Sequence, residues 1–189
     1  MKVDRGTMAA HREQIIVAAA ARFRQLGFDG ISVADLMREA GLTHGGFYGH
    51  FASKEELMAL AAERAMADSL AKWKKVIEQA PTEPLRALAK SYLSERHHDH
   101  PDKGCLFAAL GSELSRQPKS VKEIVTQGEK RAFDMLVEIV PGKTKAERKR
   151  KAIAAFARMI GGMVLARCVS DLQLRQEIFD SCVEEIDSA

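Results

Sequence analysis

The chain has 189 residues, of which 46% are hydrophobic and 29% are charged, and its formal net charge is +3. This composition excludes an intrinsically disordered chain and allows one large or two small domains. No apolar run reaches the roughly 18 residues of a membrane span. We expect no secretory signal, because no basic patch followed by an apolar stretch opens the sequence. With so small a net charge, any surface for nucleic acid must be local.

Helical periodicity runs through the chain, and no alternating pattern typical of a strand interrupts it. Hydroxyl residues followed three positions later by a carboxylate or amide mark capped helix starts. These pairs are Ser32/Asp35, Ser53/Glu56, Ser120/Glu123, Thr144/Glu147 and Ser170/Gln173. Together with glycine and proline breaks they predict about nine helices. The expected ranges are about 8–26, 33–41, 44–50, 54–79, 85–98, 105–115, 121–140, 145–169 and 171–186. We therefore predict an all-α fold.

Residues 32–51 form the most informative segment of the sequence. They read as a short helix, a turn at Gly41 and a second short helix that follows Thr43. The second helix carries small and hydrogen-bonding residues where a core helix would carry bulky ones. Two compact helices joined by a tight turn are the arrangement that places one helix in the major groove of DNA. The pattern favours a DNA-binding regulator over an ordinary helical hairpin.

The first turn of this second helix is where a recognition helix meets base edges. Thr43 is the expected cap, and His44, Gly45 and Gly46 occupy the turn. Two adjacent glycines in a helix cost roughly 1 kcal/mol each against alanine. Close approach of the backbone to DNA compensates for such a cost.

Aromatic and basic residues follow the glycines. Phe47 and Phe51 lie four positions apart and are expected to anchor the helix to a small core. Tyr48 and His50 are placed to reach phosphate oxygens from the rim of the groove. Lys54 adds a positive charge at the start of the next helix, whose amino terminus also directs N–H groups towards phosphate.

This part of the sequence resembles the amino-terminal DNA-binding domain of the TetR/AcrR family of bacterial repressors. The resemblance covers about residues 8–68. It is carried by the first-helix run over residues 15–23, by Gly27-Phe28, Ser32-Val33 with Leu36, Ala40-Gly41-Leu42-Thr43, the 45–51 run GGFYGHF and the 53–57 run SKEEL.

The resemblance implies an all-helical homodimer that binds a palindromic operator. It places a helix-turn-helix DNA-binding domain at 8–68 and a helical effector-binding and dimerisation domain at 69–189. The implied DNA-binding residues are Ser32, Thr43, His44, Gly45, Gly46, Tyr48, Gly49, His50 and Lys54. By the same resemblance, residues 43–46 meet bases, while Tyr48, His50 and Lys54 hold phosphates. Gly49 departs from the family pattern, since many members carry a larger residue there, so only its backbone is available.

Three cysteines, odd in number and far apart, favour a reduced cytoplasmic protein over a disulfide framework. The segment Gly104-Cys105-Leu106 resembles a family branch in which some members sense electrophiles through such a cysteine. A helix amino terminus and nearby Lys103 are expected to lower the pKa of the Cys105 thiol. The alternative is a small buried packing residue. Cys168 and Cys182 are expected to be packing residues.

Two further clusters each allow a functional and a structural interpretation. His97, His98 and His100 either hold a metal or, as we favour, cap the end of the preceding helix. The basic run over residues 145–151 either touches an acidic partner or, as we favour, forms a solvated face. We expect no metal and no cofactor.

The carboxy-terminal half contains large apolar residues that suit either a core or a pocket for an apolar effector. The candidate effector residues are Trp73, Tyr92, Cys105, Phe107, Phe133 and Met159. Gly161-Gly162 lies among apolar residues of the eighth predicted helix. Helices eight and nine are expected to form the homodimer interface by packing against their copies.

These observations favour ligand-gated repression by a cytoplasmic homodimer. Two recognition helices would enter successive major grooves about 34 Å apart, and an unknown small-molecule effector would favour another spacing. One alternative is a di-iron helical-bundle enzyme. The single Glu-x-x-His at residues 95–98 discounts it, because such a site needs two. The other alternative is a helical adaptor that binds protein alone.

Overall fold

The computed structural model describes residues 5–187, and every regular element in that range is helical. The α-helices are α1 (Arg5–Leu26), α2 (Val33–Glu39), α3 (Lys54–Gln79), α4 (Pro84–Tyr92), α5 (Glu95–Asp99), α6 (Leu106–Leu114), α7 (Lys119–Val137), α8 (Lys145–Arg167) and α9 (Leu172–Asp187). Two short 3₁₀ helices cover His44–Gly49 and Pro101–Lys103. The all-α prediction is confirmed. Within residues 5–187, no helix is long and apolar enough to cross a membrane.

The amino-terminal three-helix unit is held together by buried aromatic and aliphatic side chains. Phe23, Phe28 and Phe47 are each 1% exposed, and Leu36 is fully buried among them. Each such side chain contributes roughly 1.5–3 kcal/mol through removal of its apolar surface from water. Gly27 ends α1 with a φ of +83°, a conformation that glycine adopts without the strain of a Cβ.

The long helix α3 connects two hydrophobic cores. Its first half, from Leu57 to Met66, packs into the amino-terminal core, while Trp73 belongs to the second core. The Ser53 hydroxyl accepts a hydrogen bond from the Glu56 N–H at 3.1 Å, so the predicted cap at this helix start is present. A single rigid helix therefore spans both halves of the molecule.

The second core is built by α3, α4, α7, α8 and α9 around the ring of Phe156. Trp73, Phe107 and Phe133 each meet that ring edge-on, with centroid separations of 5.2, 5.8 and 5.9 Å. This geometry suits the positive edge and negative face of aromatic rings.

Helix α6 contributes to both cores. Leu106, Leu110 and Leu114 pack into the amino-terminal core, whereas Ala108 packs into the second one. At its far end, the Glu113 carboxylate accepts a hydrogen bond of 2.8 Å from the Phe28 N–H in the turn after α1. The short helix α6 is therefore a second connection between the halves, besides α3. The predicted boundary at residue 68 stays a prediction, and residues 188–189 of the predicted second domain lie outside the described range.

The fifth predicted helix, 85–98, is wrong as a single element. It divides at Leu93, whose ψ of 74° breaks the helix, into α4 and α5. Ser94 then caps α5 by accepting from the His97 N–H. The periodicity of apolar residues continues to Leu93, so it does not reveal a hydroxyl residue that starts a new helix one position later.

Two of the five predicted caps are also wrong. Ser120 lies inside α7, which starts at Lys119 after Pro118. Ser170 does not cap α9. Instead the Asp171 carboxylate accepts from the N–H groups of Gln173 and Leu174, at 2.8 and 3.0 Å. The carboxylate one position later accepts two orphan N–H groups at once. The Thr144 cap is present, with its hydroxyl 3.1 Å from the Glu147 nitrogen.

Candidate nucleic-acid interface

The segment predicted to meet DNA is a 3₁₀ helix anchored by phenylalanine. Phe47 and Phe51 are 1% and 2% exposed, and their rings pack against each other with a centroid separation of 5.3 Å. Thr43 stands at the start of the helix, but its side chain makes no capping hydrogen bond, so the predicted hydroxyl cap is wrong. The Gly46 N–H bonds to the Thr43 carbonyl instead, at 3.0 Å.

The outward face of this helix is exposed, and Tyr48 is its one large exposed apolar side chain. Tyr48 is 72% exposed and touches only the edge of the Phe47 ring. Thr43 and His44 are exposed as well. A Cβ placed on Gly45 or Gly49 would meet nothing within 4 Å. We refer to residues 43–50 as the 43–50 surface.

The glycines of the 43–50 surface have no packing reason within the chain. Neither Gly45 nor Gly49 has a positive φ, and a side chain would fit in the space around both. A Cβ on Gly46 would make ordinary contacts of 3.6 Å with Met37 and Thr43. Alanine would stabilise such helical positions by roughly 0.5–1 kcal/mol. An external partner that approaches the backbone accounts for their presence.

Three predicted contact residues at the edge of this surface have partners within the chain. The Lys54 ammonium lies 3.4 Å from the Ile31 carbonyl and 3.9 Å from the exposed Asp29 carboxylate. The Ser32 hydroxyl caps α2, accepting from the Asp35 N–H at 3.1 Å. His50 is half-buried, and its burial, together with nearby cationic groups, lowers the pKa of its imidazole. A phosphate contact by Lys54 or Ser32 must be shared with these bonds.

Sequence reasoning missed Arg12, which fixes the end of the 43–50 surface to α1. Its guanidinium donates to Glu56 at 2.9 Å and to the His50 carbonyl at 3.3 Å. The same group lies 5.0 Å from the centroid of the Phe51 ring, a cation–π contact. Arg12 stands three positions before Ile15, one turn along the same helix face. That spacing was the available signal.

The predicted effector residues divide between an open cavity and the core. A cavity of about 520 Å³ lies between α3, α4 and the segment 94–105. Trp73, Tyr92 and Cys105 line it. Phe107 lines a much smaller gap of about 20 Å³. Phe133 and Met159 line neither space. These two pack among the apolar residues of the second core, and their assignment to an effector site stays a prediction.

Cys105 differs from the sequence expectation in its chemistry. It stands at the cap position of α6, is 6% exposed, and burial raises the pKa of its thiol. The expected lowering of this pKa is therefore wrong, since loss of water outweighs the helix terminus and Lys103. Cys168 is exposed and Cys182 only partly buried, so the packing prediction is wrong for Cys168.

His97 forms part of the cavity wall and joins the end of α4 to the start of α6. Its Nδ1 lies 2.7 Å from the Tyr92 carbonyl at the end of α4, and its Nε2 accepts the Cys105 N–H at 2.9 Å. Burial lowers the pKa of His97 to about 4, so the ring is neutral near pH 7. The favoured interpretation, a histidine that caps a helix end, is correct for His97. Within residues 5–187, no group of three or more potential metal-ligating side chains converges.

The comparisons with known proteins agree with this architecture. A family model described as bacterial regulatory proteins of the tetR family matches residues 15–61. Over these residues the chain is similar to the DNA-binding domain of the TetR family. The resemblance inferred from the sequence is thereby confirmed, and the matched range contains α2 and the 43–50 surface.

Two curated relatives match about three fifths of this chain. The uncharacterized HTH-type transcriptional regulator YerO of Bacillus subtilis is 30% identical over 117 residues, which are 61% of this chain and 40% of YerO. The HTH-type transcriptional repressor KstR2 of Mycobacterium tuberculosis is 26% identical over 116 residues, 60% of this chain and 58% of KstR2. The chain thus matches about half the length of these relatives. Both are named as regulators, not enzymes, and the helical-bundle enzyme finds no support.

The likeness of fold extends over the whole chain. A crystal structure of a TetR-family transcriptional regulator from Cytophaga hutchinsonii superimposes with a TM-score of 0.80. The two chains are 19% identical, and the match covers 100% of this chain and 98% of the other. At that identity the likeness establishes the fold and leaves the ligand of the carboxy-terminal half open.

Proposed function

We propose that this protein is a cytoplasmic transcriptional repressor of the TetR family that binds a palindromic operator as a homodimer and is released by a small-molecule effector. The observation that carries the proposal is the 43–50 surface. It combines exposed polar groups with glycines that no contact inside the chain requires. Such a surface, held on buried phenylalanines, suits a backbone that approaches base edges closely. The relative KstR2 is named a repressor, which supports repression over activation.

The proposed dimer uses α8 and α9, which leave large apolar side chains exposed. On α8 these are Ile153, Val164 and Leu165, and on α9 they are Leu172 and Leu174. Exposed apolar side chains on two helices that pack together suit an isologous contact with a second copy.

The two adjacent glycines of α8 play different parts in that proposal. A Cβ on Gly161 would meet nothing within 4 Å, so this glycine is open to a partner helix. Gly162 is buried, and its position touches Leu93 and Cys182 inside the subunit. Only Gly161 therefore belongs to the proposed dimer interface.

The proposed transmission from effector to operator runs through polar contacts at both ends of the segment 104–114. Arg24 of α1 is 6% exposed, and its guanidinium donates at 2.9 Å to the Gly104 carbonyl in the cavity wall. Glu113 holds the Phe28 N–H at the other end. A ligand that displaces the 103–105 segment would therefore move α1 directly.

The decisive experiment compares two alanine variants. Gly45→Ala adds a methyl group to the 43–50 surface, and Gly111→Ala adds one to the exposed face of α6; neither added Cβ would meet anything within the chain. We expect both variants to be as stable as wild type or up to about 1 kcal/mol more stable. Affinity for genomic fragments selected by the wild-type protein should fall at least tenfold for Gly45→Ala only, roughly the cost of a spoiled base contact.

The same measurements separate the alternatives. If the wild-type protein selects no duplex fragments, or if Gly45→Ala binds them as tightly as Gly111→Ala does, the proposed function is wrong. A helical adaptor that binds only protein gives the first of these results. Fluorescence anisotropy at a fixed salt concentration is the suitable readout, because salt strongly affects such affinities.

A further inference from the structure

The cavity of about 520 Å³ has an apolar floor and a basic rim. Trp73, Leu88 and Tyr92 form buried parts of its wall. The side chains of Lys72, Lys75, Arg96 and Lys103, which we call the basic rim, also line it and are exposed at its mouth. No aspartate or glutamate lines the cavity. Its volume lies within the roughly 300–1,000 Å³ typical of small-molecule sites.

Three carboxylates near the cavity form ion pairs with basic residues outside the basic rim. Asp68 pairs with Arg64 at 2.9 Å, Glu78 with Lys74 at 3.8 Å, and Glu95 with Arg175 at 3.5 Å. Asp102 interacts with Lys72 through space but does not line the cavity. Among the described residues, Asp68 and Asp102 offset part of the charge on Lys72, and no carboxylate forms an ion pair with the basic rim.

Most of the basic rim has no partner among the described residues. The side chains of Lys75, Arg96 and Lys103 make no hydrogen bond or ion pair in the range 5–187, and Lys72 donates only to the Lys103 carbonyl. Burial, and after it the nearby Arg24 and Arg96 charges, lower the pKa of Lys72. An anion placed between cations that are held close together relieves their mutual repulsion, so its binding is favourable.

Tyr92 adds a second unsatisfied group to the wall. Its hydroxyl is buried and has no hydrogen-bond partner of standard geometry among the described residues, although the Cys105 thiol lies close. A buried hydroxyl without a partner costs free energy, and a phenol donates readily to an oxygen anion. The cavity thus offers cations and an unused donor above an apolar floor.

We infer that the effector is an amphipathic organic anion, with its acidic head group at the basic rim and its apolar body against Trp73 and Leu88. A carboxylate and a phosphate monoester share the required head-group chemistry. The inference rests on the proposed function, since it names the class of molecule that releases the operator. It excludes cationic and purely inorganic ligands.

Trp73 makes the test direct, because it is the only tryptophan of the chain and it lines the cavity. The protein without DNA is titrated with dodecanoate or dodecyl phosphate below their micellar concentrations while tryptophan fluorescence is followed. Dodecylammonium is the cationic control, and inorganic phosphate is the control that lacks the apolar tail. We expect saturable binding of at least one anionic amphiphile and at least tenfold weaker binding of both controls. Equal or tighter binding of dodecylammonium, or binding of inorganic phosphate alone, overturns the inference.

Two double variants locate the binding site. Lys75→Gln/Lys103→Gln removes two charges of the basic rim, and both side chains are exposed and unpaired, so folding is retained. Lys74→Gln/Lys119→Gln removes the same charge from exposed positions outside the cavity. The dodecanoate Kd should rise roughly tenfold in the first variant only. Equal effects in the two variants contradict binding in this cavity.

The inference and the proposed function fail separately. If the wild-type protein selects DNA fragments but binds no anionic amphiphile, only the ligand assignment is wrong. If the protein binds dodecanoate through the basic rim but selects no DNA, only the repressor proposal is wrong. Release of the wild-type complex with DNA by dodecanoate, absent in the rim variant, supports both.

Discussion

The 43–50 surface and the cavity differ in how the chain builds them. The 43–50 surface comes from one short segment, is almost without charge, and leaves backbone and a tyrosine ring exposed. The cavity is assembled from α3, α4 and the segment 94–105, carries several cations, and has a buried floor. Both contain groups that the free chain leaves unsatisfied. Stability alone does not select such groups, so both regions are where we expect an external partner to bind.

The largest expected effect is a loss of stability, and it separates Phe47 from its neighbour Tyr48 in the 43–50 surface. Phe47→Ala removes a fully packed ring and should lower the free energy of unfolding by about 3–5 kcal/mol. Tyr48→Ala removes an exposed ring and should change it by less than about 0.5 kcal/mol. Both variants should lose DNA binding, and urea unfolding followed by circular dichroism separates the two causes. A Tyr48→Ala protein that binds DNA normally would contradict the phosphate contact assigned to this ring.

The contrast between the two regions also explains what the sequence predicts. The helix-turn-helix is local, so apolar spacing, the Gly41 turn and the Ser32 and Ser53 caps are visible within 25 positions. The cavity is not local. The bond from Arg24 to Gly104 joins residues 80 positions apart, and whether Phe133 lines a pocket or the core depends on how α7 packs. Residue type permits both outcomes, and only tertiary packing decides between them.

The next largest effect concerns the cavity wall and pH. His97 has a pKa of about 4 in the folded chain, below its ordinary value of about 6.5. Between these values the unfolded chain binds the proton and the folded chain does not, so the free energy of unfolding falls as the pH falls. We expect a loss of roughly 2–3 kcal/mol from this group between pH 7 and pH 4.5.

His97→Gln isolates that contribution. Glutamine can still accept the Cys105 N–H but does not titrate. Urea unfolding at both pH values should therefore show a smaller pH dependence for the variant than for wild type, since all other groups titrate alike in the two proteins. If the free energy of unfolding falls equally in both proteins as the pH falls, the His97 ring takes up a proton in the folded state as readily as in the unfolded state, and the prediction is wrong.

A smaller effect is expected at the contact between the two regions. Arg24→Met removes the bond to the Gly104 carbonyl and should lower the free energy of unfolding by about 1–3 kcal/mol, because the buried carbonyl loses its donor. The change in operator affinity caused by saturating dodecanoate should shrink by about 5- to 10-fold, about 1 kcal/mol of coupling. Arg22→Met on the same helix is the control, since Arg22 is partly exposed and its guanidinium donates to Glu39 and Gln25 inside the amino-terminal unit. Equal losses of coupling in both variants would locate the transmission elsewhere.

The smallest effect tests two residues that look alike in sequence. Thr43, the first residue of the 43–50 surface, and Ser53, which follows that surface, are hydroxyl residues at helix starts, but only Ser53 accepts a backbone hydrogen bond. Ser53→Ala should therefore lower the free energy of unfolding by about 1 kcal/mol, and Thr43→Ala by less than about 0.5 kcal/mol. The Thr43 hydroxyl, free of a structural bond, remains available to DNA, so its removal should weaken operator binding more than its small effect on stability suggests. Equal losses of stability would mean that Thr43 caps the 3₁₀ helix in solution, and its assignment to base contact would then lose its physical basis.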